Sequence, residues 1–254
     1  MSLSGNSASV LNDGGAAGAP RQFMDFAQSG PYFAALLLVA LVAFWPSYLS
    51  LGFGASSTYI HLHAATATLW ILMLIAQPTL IRARRMDIHR ILGRFSQGLA
   101  TVVLMSVVFL AHSRIRGLAG EAYGRQTYIL YLQMSIAFLF TLSYVMALVT
   151  RRSAALHARF MVSTGMTLLD PIVIRLMFWA NPAPTWNYQW FTFGLTDAVF
   201  LALIFLERDR PAGRAVFPAM LGVFMLMQAP ALFGLTSTPV WQAFARWFAA
   251  LPLT

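Results

Sequence analysis

The sequence predicts an all-α fold, a polytopic transmembrane helical bundle of seven spans, and three observations carry that prediction. Hydrophobic residues make up 59% of the 254 positions and charged ones only 10%, whereas a soluble domain is nearer half apolar and a quarter charged. The apolar residues fall into long runs of about 20, the length a helix needs to cross the hydrocarbon core. Arginine gathers in alternate connections between those runs, the charge asymmetry of a multi-pass protein.

Residues 1–29 are rich in Ser, Gly, Ala and Asn without periodicity and read as a flexible tail ending in a short amphipathic stretch, Arg21 to Phe26. No basic stretch leads directly into an apolar one there, so no cleaved signal peptide is expected. A transmembrane domain over 30–236 follows, with spans at 31–53, 57–81, 89–112, 126–150, 156–180, 188–206 and 214–235. The last segment, 237–254, holds Trp241, Phe244, Trp247 and Phe248 beside Arg246, the composition of a helix lying in the membrane interface.

Arginines set the orientation. Arg82, Arg84, Arg85 and Arg90 lie around the 2–3 connection, Arg151, Arg152 and Arg159 around the 4–5, and Arg208, Arg210 and Arg214 around the 6–7. Positive charge marks the cytoplasmic side, so the N-terminus is expected inside and the C-terminus outside. The 3–4 connection dissents, with Arg114, Arg116 and Arg125 against Glu121.

Composition excludes several functions. The net charge of +9 comes from arginine alone, since there is no lysine, and a retinal Schiff base needs one. Cysteine is absent, which removes disulfides, thiolate catalysis and Cys-ligated clusters. The arginines are scattered among connections, so nucleic acid is not an expected partner; the lipid bilayer is. Arginine-only usage with abundant Ala and Leu points to a high-GC bacterial genome, hence to a bacterial inner membrane. No HExxH, nucleophile elbow, phosphate-binding Gly loop or acidic metal box is present.

The five histidines lie near span ends, and histidine in a membrane is a candidate metal, haem or proton-handling residue. By the expected topology His61, His63 and His112 lie outside, and His89 and His157 inside. Two levels of imidazole are the pattern of a b-type cytochrome, which makes haem b the candidate cofactor. Geometry narrows the pairs. His89 and His112 are separated by roughly 34 Å along a helix and roughly 140° around it, and His61 and His63 by roughly 200°. The pairs that remain are His89 with His157 and His63 with His112, of which the inner has the stronger context.

That context is basic. His89 is followed by Arg90 and Arg94, and His157 by Arg159, each histidine at a helix start where anions are favoured. Arg90, Arg94, Gln97 and Thr101 form a polar stripe expected to face the bundle, because lipid would penalise it. Haem propionates, a quinone, a lipid headgroup or an anionic substrate are its candidate guests.

At these residues the chain resembles a group of uncharacterised bacterial multi-pass membrane proteins. The shared pattern is a histidine opening one span, then H-R-x-L-G-R, then H-x-R-x-M with a later Pro and Arg. Here these stand as His63, as His89-Arg90-Ile91-Leu92-Gly93-Arg94, and as His157-Ala158-Arg159-Phe160-Met161 with Pro171 and Arg175. The resemblance covers roughly residues 60–180 and implies a helical bundle loosely akin to haem-handling membrane proteins.

A second centre lies deeper. Asp170-Pro171 interrupts span 5 and Asp197 sits in span 6, both about 14 Å from the outer ends of their helices. Arg175 is expected to reach either carboxylate, and Pro171 leaves the carbonyl of Thr167 without its helical donor. This cluster suits a proton or cation path, or a structural Asp–Arg tie. Gln77-Pro78, Tyr131, Gln133 and Gln228 with Pro230 add polar breaks at depth. Three functions follow as expectations. The first is a redox role, haem- or quinone-linked; the second a proton-coupled transporter using Asp170, Arg175 and Asp197. The third is a cofactor-free accessory subunit of a larger membrane complex.

Overall fold

A computed structural model of the chain describes residues 26–183 and 185–254. The tail expected over 1–29, with its stretch from Arg21, therefore lies mostly outside the described residues. Nine helices are described: α1 Gly30–Phe44, α2 Thr58–Arg82, α3 Met86–Ile115, α4 Gly120–Val149, α5 Ala154–Met166, α6 Leu169–Ala180, α7 Gln189–Leu206, α8 Val216–Leu232 and α9 Pro239–Ala249. Six stretches are long and apolar enough to cross a membrane: Phe26–Phe44, α2, α3, α4, Ala154–Ala180 and α7. α8 is apolar but has only 17 residues. Leu38, Val42, Val149, Phe205 and Leu226 stand exposed on the outside of the bundle, where lipid would cover them.

Several boundaries differ from those expected. The first span stops at Phe44 instead of 53, because Pro46 cannot donate to the carbonyl of Val42. Turns then carry the chain through Gly52, whose positive φ of 74° favours glycine. α3 starts earlier and ends later than 89–112, so His89 and His112 each lie one turn inside it. The fifth span is two helices. Thr167 and Leu168 separate α5 from α6, at the point where Pro171 lacks the N–H that would bond the Thr167 carbonyl.

That broken span is the centre of the molecule. α5 packs on α4, α8 and α2, while α6 packs on α1 and α7, so the break hands the chain from one set of neighbours to another. The residues Ser163 to Thr167 are all buried. Gly165 is required there, because a Cβ would collide with the ring of Phe33 from α1. Trp70 of α2, almost fully buried, packs edge-on to Phe140 and Tyr144 at 4.8 and 5.3 Å between centroids. Its indole N–H donates to Thr164 Oγ1 at 3.3 Å. One apolar cluster thus ties α2, α4 and α5 together.

The connections α2–α3, α4–α5 and α7–α8 lie at one end of the bundle, called here the basic end. At the opposite end α9 rests on α3 and α4, burying Ala245 and Phe248 against Ala111, Ile115 and Leu130. Trp241 Nε1–H donates to the Thr127 carbonyl at 3.0 Å, while Val240 and Trp247 point outward.

Candidate functional site

The break in the central span places a buried carboxylate in the interior. Asp170, in the first turn of α6, is buried, and Gln189 Nε2 from the start of α7 donates to its Oδ1. The same amide donates to Thr192 Oγ1 at 3.0 Å, and Asn187 Oδ1 anchors the Gln189 backbone N–H at 2.9 Å. Asp197, two turns further along α7, accepts from Gln228 Nε2 of α8 at 2.9 Å. Between these pairs lies a cavity of about 30 Å³, room for one or two waters. Its lining is mostly apolar, with Ser135, Thr167, Asp170, Thr196 and Gln228 as its polar members. Asp170 borders the cavity directly, and Asp197 meets it through Gln228.

Both carboxylates lie roughly 12–15 Å from the helix ends at the opposite face, near mid-bundle. Their partners are neutral amides and hydroxyls. The expected Asp–Arg tie is not formed. No ion pair among the described residues includes Arg175, whose guanidinium lies 5.5 Å from the ring centroid of Phe44. From the exposed face of α6 it reaches toward the membrane surface, as a long cationic chain does.

The charged pairing is found instead at the basic end. Arg159, only 2% exposed, pairs with Glu207, which is 1% exposed. Arg210 adds a second cation to Glu207 at 3.2 Å. Arg159 Nη1 also donates to the Ala155 carbonyl at 2.7 Å, and Phe26 covers its guanidinium at 5.0 Å. This network fixes the start of α5 against the end of α7. Arg159 is thereby engaged in a structural pair, away from the histidine it follows in sequence.

The histidines separate in the same way. His157 Nδ1–H donates to the Ala147 carbonyl at 2.8 Å, which leaves its Nε2 with a free lone pair. His89 Nδ1 is buried without a hydrogen-bond partner, and the two rings lie within electrostatic range of each other, with Arg90 beside His89. At the opposite end, no described contact joins His63 to His112. His63 Nδ1 meets Ser106 Oγ at 3.1 Å, in a network with Thr66. His112, fully buried, meets Thr254 Oγ1 at 2.6 Å and packs edge-on to Phe248. His61 Nδ1 meets the Tyr48 hydroxyl at 2.8 Å. No group of three or more His, Asp or Glu residues suited to a metal ion occurs among the described residues.

One expectation is reversed. Arg90, Arg94, Gln97 and Thr101 are all exposed on the outside of α3. The inward face belongs to Ser96, Ala100 and Val103, small enough for close packing, with Ser96 Oγ bonded to the Tyr144 hydroxyl at 2.8 Å. Thr101 satisfies its hydroxyl on its own helix, at the Gln97 carbonyl, and the two arginines sit close enough to the helix end to extend outward. Sequence reasoning also passed over Gln189, Thr192 and Thr196, whose spacing of three and four marks one polar face of α7, and over Glu207, the carboxylate that follows the end of that helix.

No family model matches the chain, and no curated protein or solved structure does.

Proposed function

We propose that this protein moves protons, or a substrate coupled to them, across a bacterial inner membrane through the break between α5 and α6. In this reading α8 is the seventh span, the basic end is cytoplasmic and the C-terminus lies outside, consistent with the ten arginines around the alternate connections. The observation that carries it is Asp170, a buried carboxylate at a discontinuous helix, bordering a small cavity and paired with no cation among the described residues. A carboxylate held by amides and hydroxyls can be protonated without breaking an ion pair, and one in mid-membrane is a functional candidate by default. Broken helices with free carbonyls at mid-depth suit ion and proton sites.

Asp170 would take up the proton, water in the cavity would relay it, and Asp197 would receive it by way of Gln228. Infrared difference spectra of the reconstituted protein test this step. A carboxylic C=O band that titrates in the wild type should be missing in Asp170→Asn. Proton uptake into proteoliposomes should fall to that of empty vesicles in Asp170→Asn and Asp197→Asn. A wild type with no titrating carboxyl band would rule the reading out.

A redox role, linked to haem or quinone, is the second reading, favoured by the state of His157 and His89. A ligating histidine donates its other ring N–H to a carbonyl or carboxylate, as His157 does to Ala147. His89, with an unpartnered buried nitrogen, supplies a second imidazole nearby. This donor set fits the axial positions of haem b, which would supply one-electron chemistry when bound, and the exposed Arg90 and Arg94 would hold its propionates. The purified protein should then show a Soret band that is lost in His89→Ala and in His157→Ala; a colourless protein from haem-replete cells would dismiss it.

A further inference from the structure

The dissenting arginines of the α3–α4 connection converge on a cavity that neither reading above uses. Positive charge on that side runs against the usual distribution in multi-pass proteins. Arg125 is accounted for by Glu121 at 3.6 Å. Arg114 and Arg116 enter no ion pair among the described residues. Both line an open cavity of about 660 Å³ between the turns that follow α1, the first turn of α2 and the end of α3. Its other polar walls include Ser56, Ser57, Tyr59 and Ser113.

Local geometry explains why both arginines reach it. Two residues apart on a helix, they would point roughly 200° from each other. Arg116, however, closes α3, and both side chains are exposed and long enough to bend from either side toward the open cavity that both line. α2 enters the same space N-terminus first, with no side chain capping it, and adds the positive end of its dipole. Behind the wall, buried His112 meets the lining residue Thr254. Two cations outside any ion pair among the described residues, with hydroxyl donors around them and apolar Leu51 and Ile60 in the same lining, are the complement of an anionic, amphiphilic ligand.

We infer that this cavity binds a phosphate group, clamped by the forked guanidiniums of Arg114 and Arg116, whose planar donors match phosphate oxygens. A membrane lipid headgroup and a soluble phosphate share that chemistry. Calorimetry on the full chain in an uncharged detergent separates them, with inorganic phosphate as one probe and short-chain phosphatidylglycerol as the other. Binding of phosphate assigns a soluble oxyanion, and binding of phosphatidylglycerol alone assigns a headgroup; either supports the site. Arg114→Gln with Arg116→Gln should weaken the bound probe by roughly tenfold or more, the worth of a charge-assisted hydrogen bond. Arg125→Gln removes the same charge from the same connection outside the cavity and should leave affinity within about twofold. If the double variant elutes as aggregate, each single variant is measured alone and should show the loss. No binding of either probe, or an equal loss in Arg125→Gln, would overturn the assignment.

Discussion

Two buried carboxylates, Glu207 at the basic end and Asp170 at the central break, are handled in opposite ways. Glu207 receives two arginines, Arg159 and Arg210, whereas Asp170 receives the amide of Gln189 and the Thr192 hydroxyl, both neutral. A buried ion pair must stay charged, because losing either partner strands the other in a medium that cannot solvate it. A buried carboxylate bonded to neutral donors has no such constraint, and its proton can come and go. The first arrangement holds helices together; the second leaves a group free to do chemistry. The difference is one of partners and not of burial, since both side chains are nearly inaccessible.

Variants can break or sharpen that contrast. Glu207→Gln should have the largest effect on stability, about 3–5 kcal/mol, because it strands Arg159; thermal unfolding of the purified protein reads it directly, and a loss under 1 kcal/mol would mean that water reaches the pair. Gly165→Ala comes next. Overpacking against Phe33 should cost about 1–3 kcal/mol, with Phe33→Leu restoring part of it; an unchanged melting point would show that the break is loosely packed. Asp170→Asn keeps an acceptor for Gln189 and should shift stability by about 1 kcal/mol or less while eliminating the titrating carboxyl band. A collapse like that of Glu207→Gln would make Asp170 structural. Arg175→Gln should change least, within about 0.5 kcal/mol, since no carboxylate holds it; a larger loss would reveal a pair with Asp170 in the membrane.

Much of the fold was legible in the sequence because lipid imposes long apolar runs, and a run is visible without knowing its neighbours. The break at Asp170-Pro171 was legible too, from the missing proline N–H. The orientation of the α3 stripe was not. The argument that polar residues must face inward holds for groups that cannot reach water or bond their own helix, but Arg90 and Arg94 can do the first and Thr101 does the second. The role of Arg159 was hidden for another reason. Glu207 lies 48 positions away, and nothing local in either segment announces the other. The hydroxyl and amide face of α7 was present as a spacing, yet its meaning depended on Asp170 arriving opposite it.

Composition and periodicity by themselves determined that this chain is a helical membrane protein without lysine or cysteine chemistry, with its positive charge gathered at alternate connections and a proline interrupting its fifth apolar run. Those are properties of single segments in a solvent, and hydrophobic transfer and backbone hydrogen bonding settle them locally. Tertiary structure alone decided which interior charges are neutralised: Arg159 by Glu207, and Asp170 and Asp197 by no cation among the described residues. Pairing acts over a few ångströms between residues far apart in sequence, so it exists only once the helices have packed.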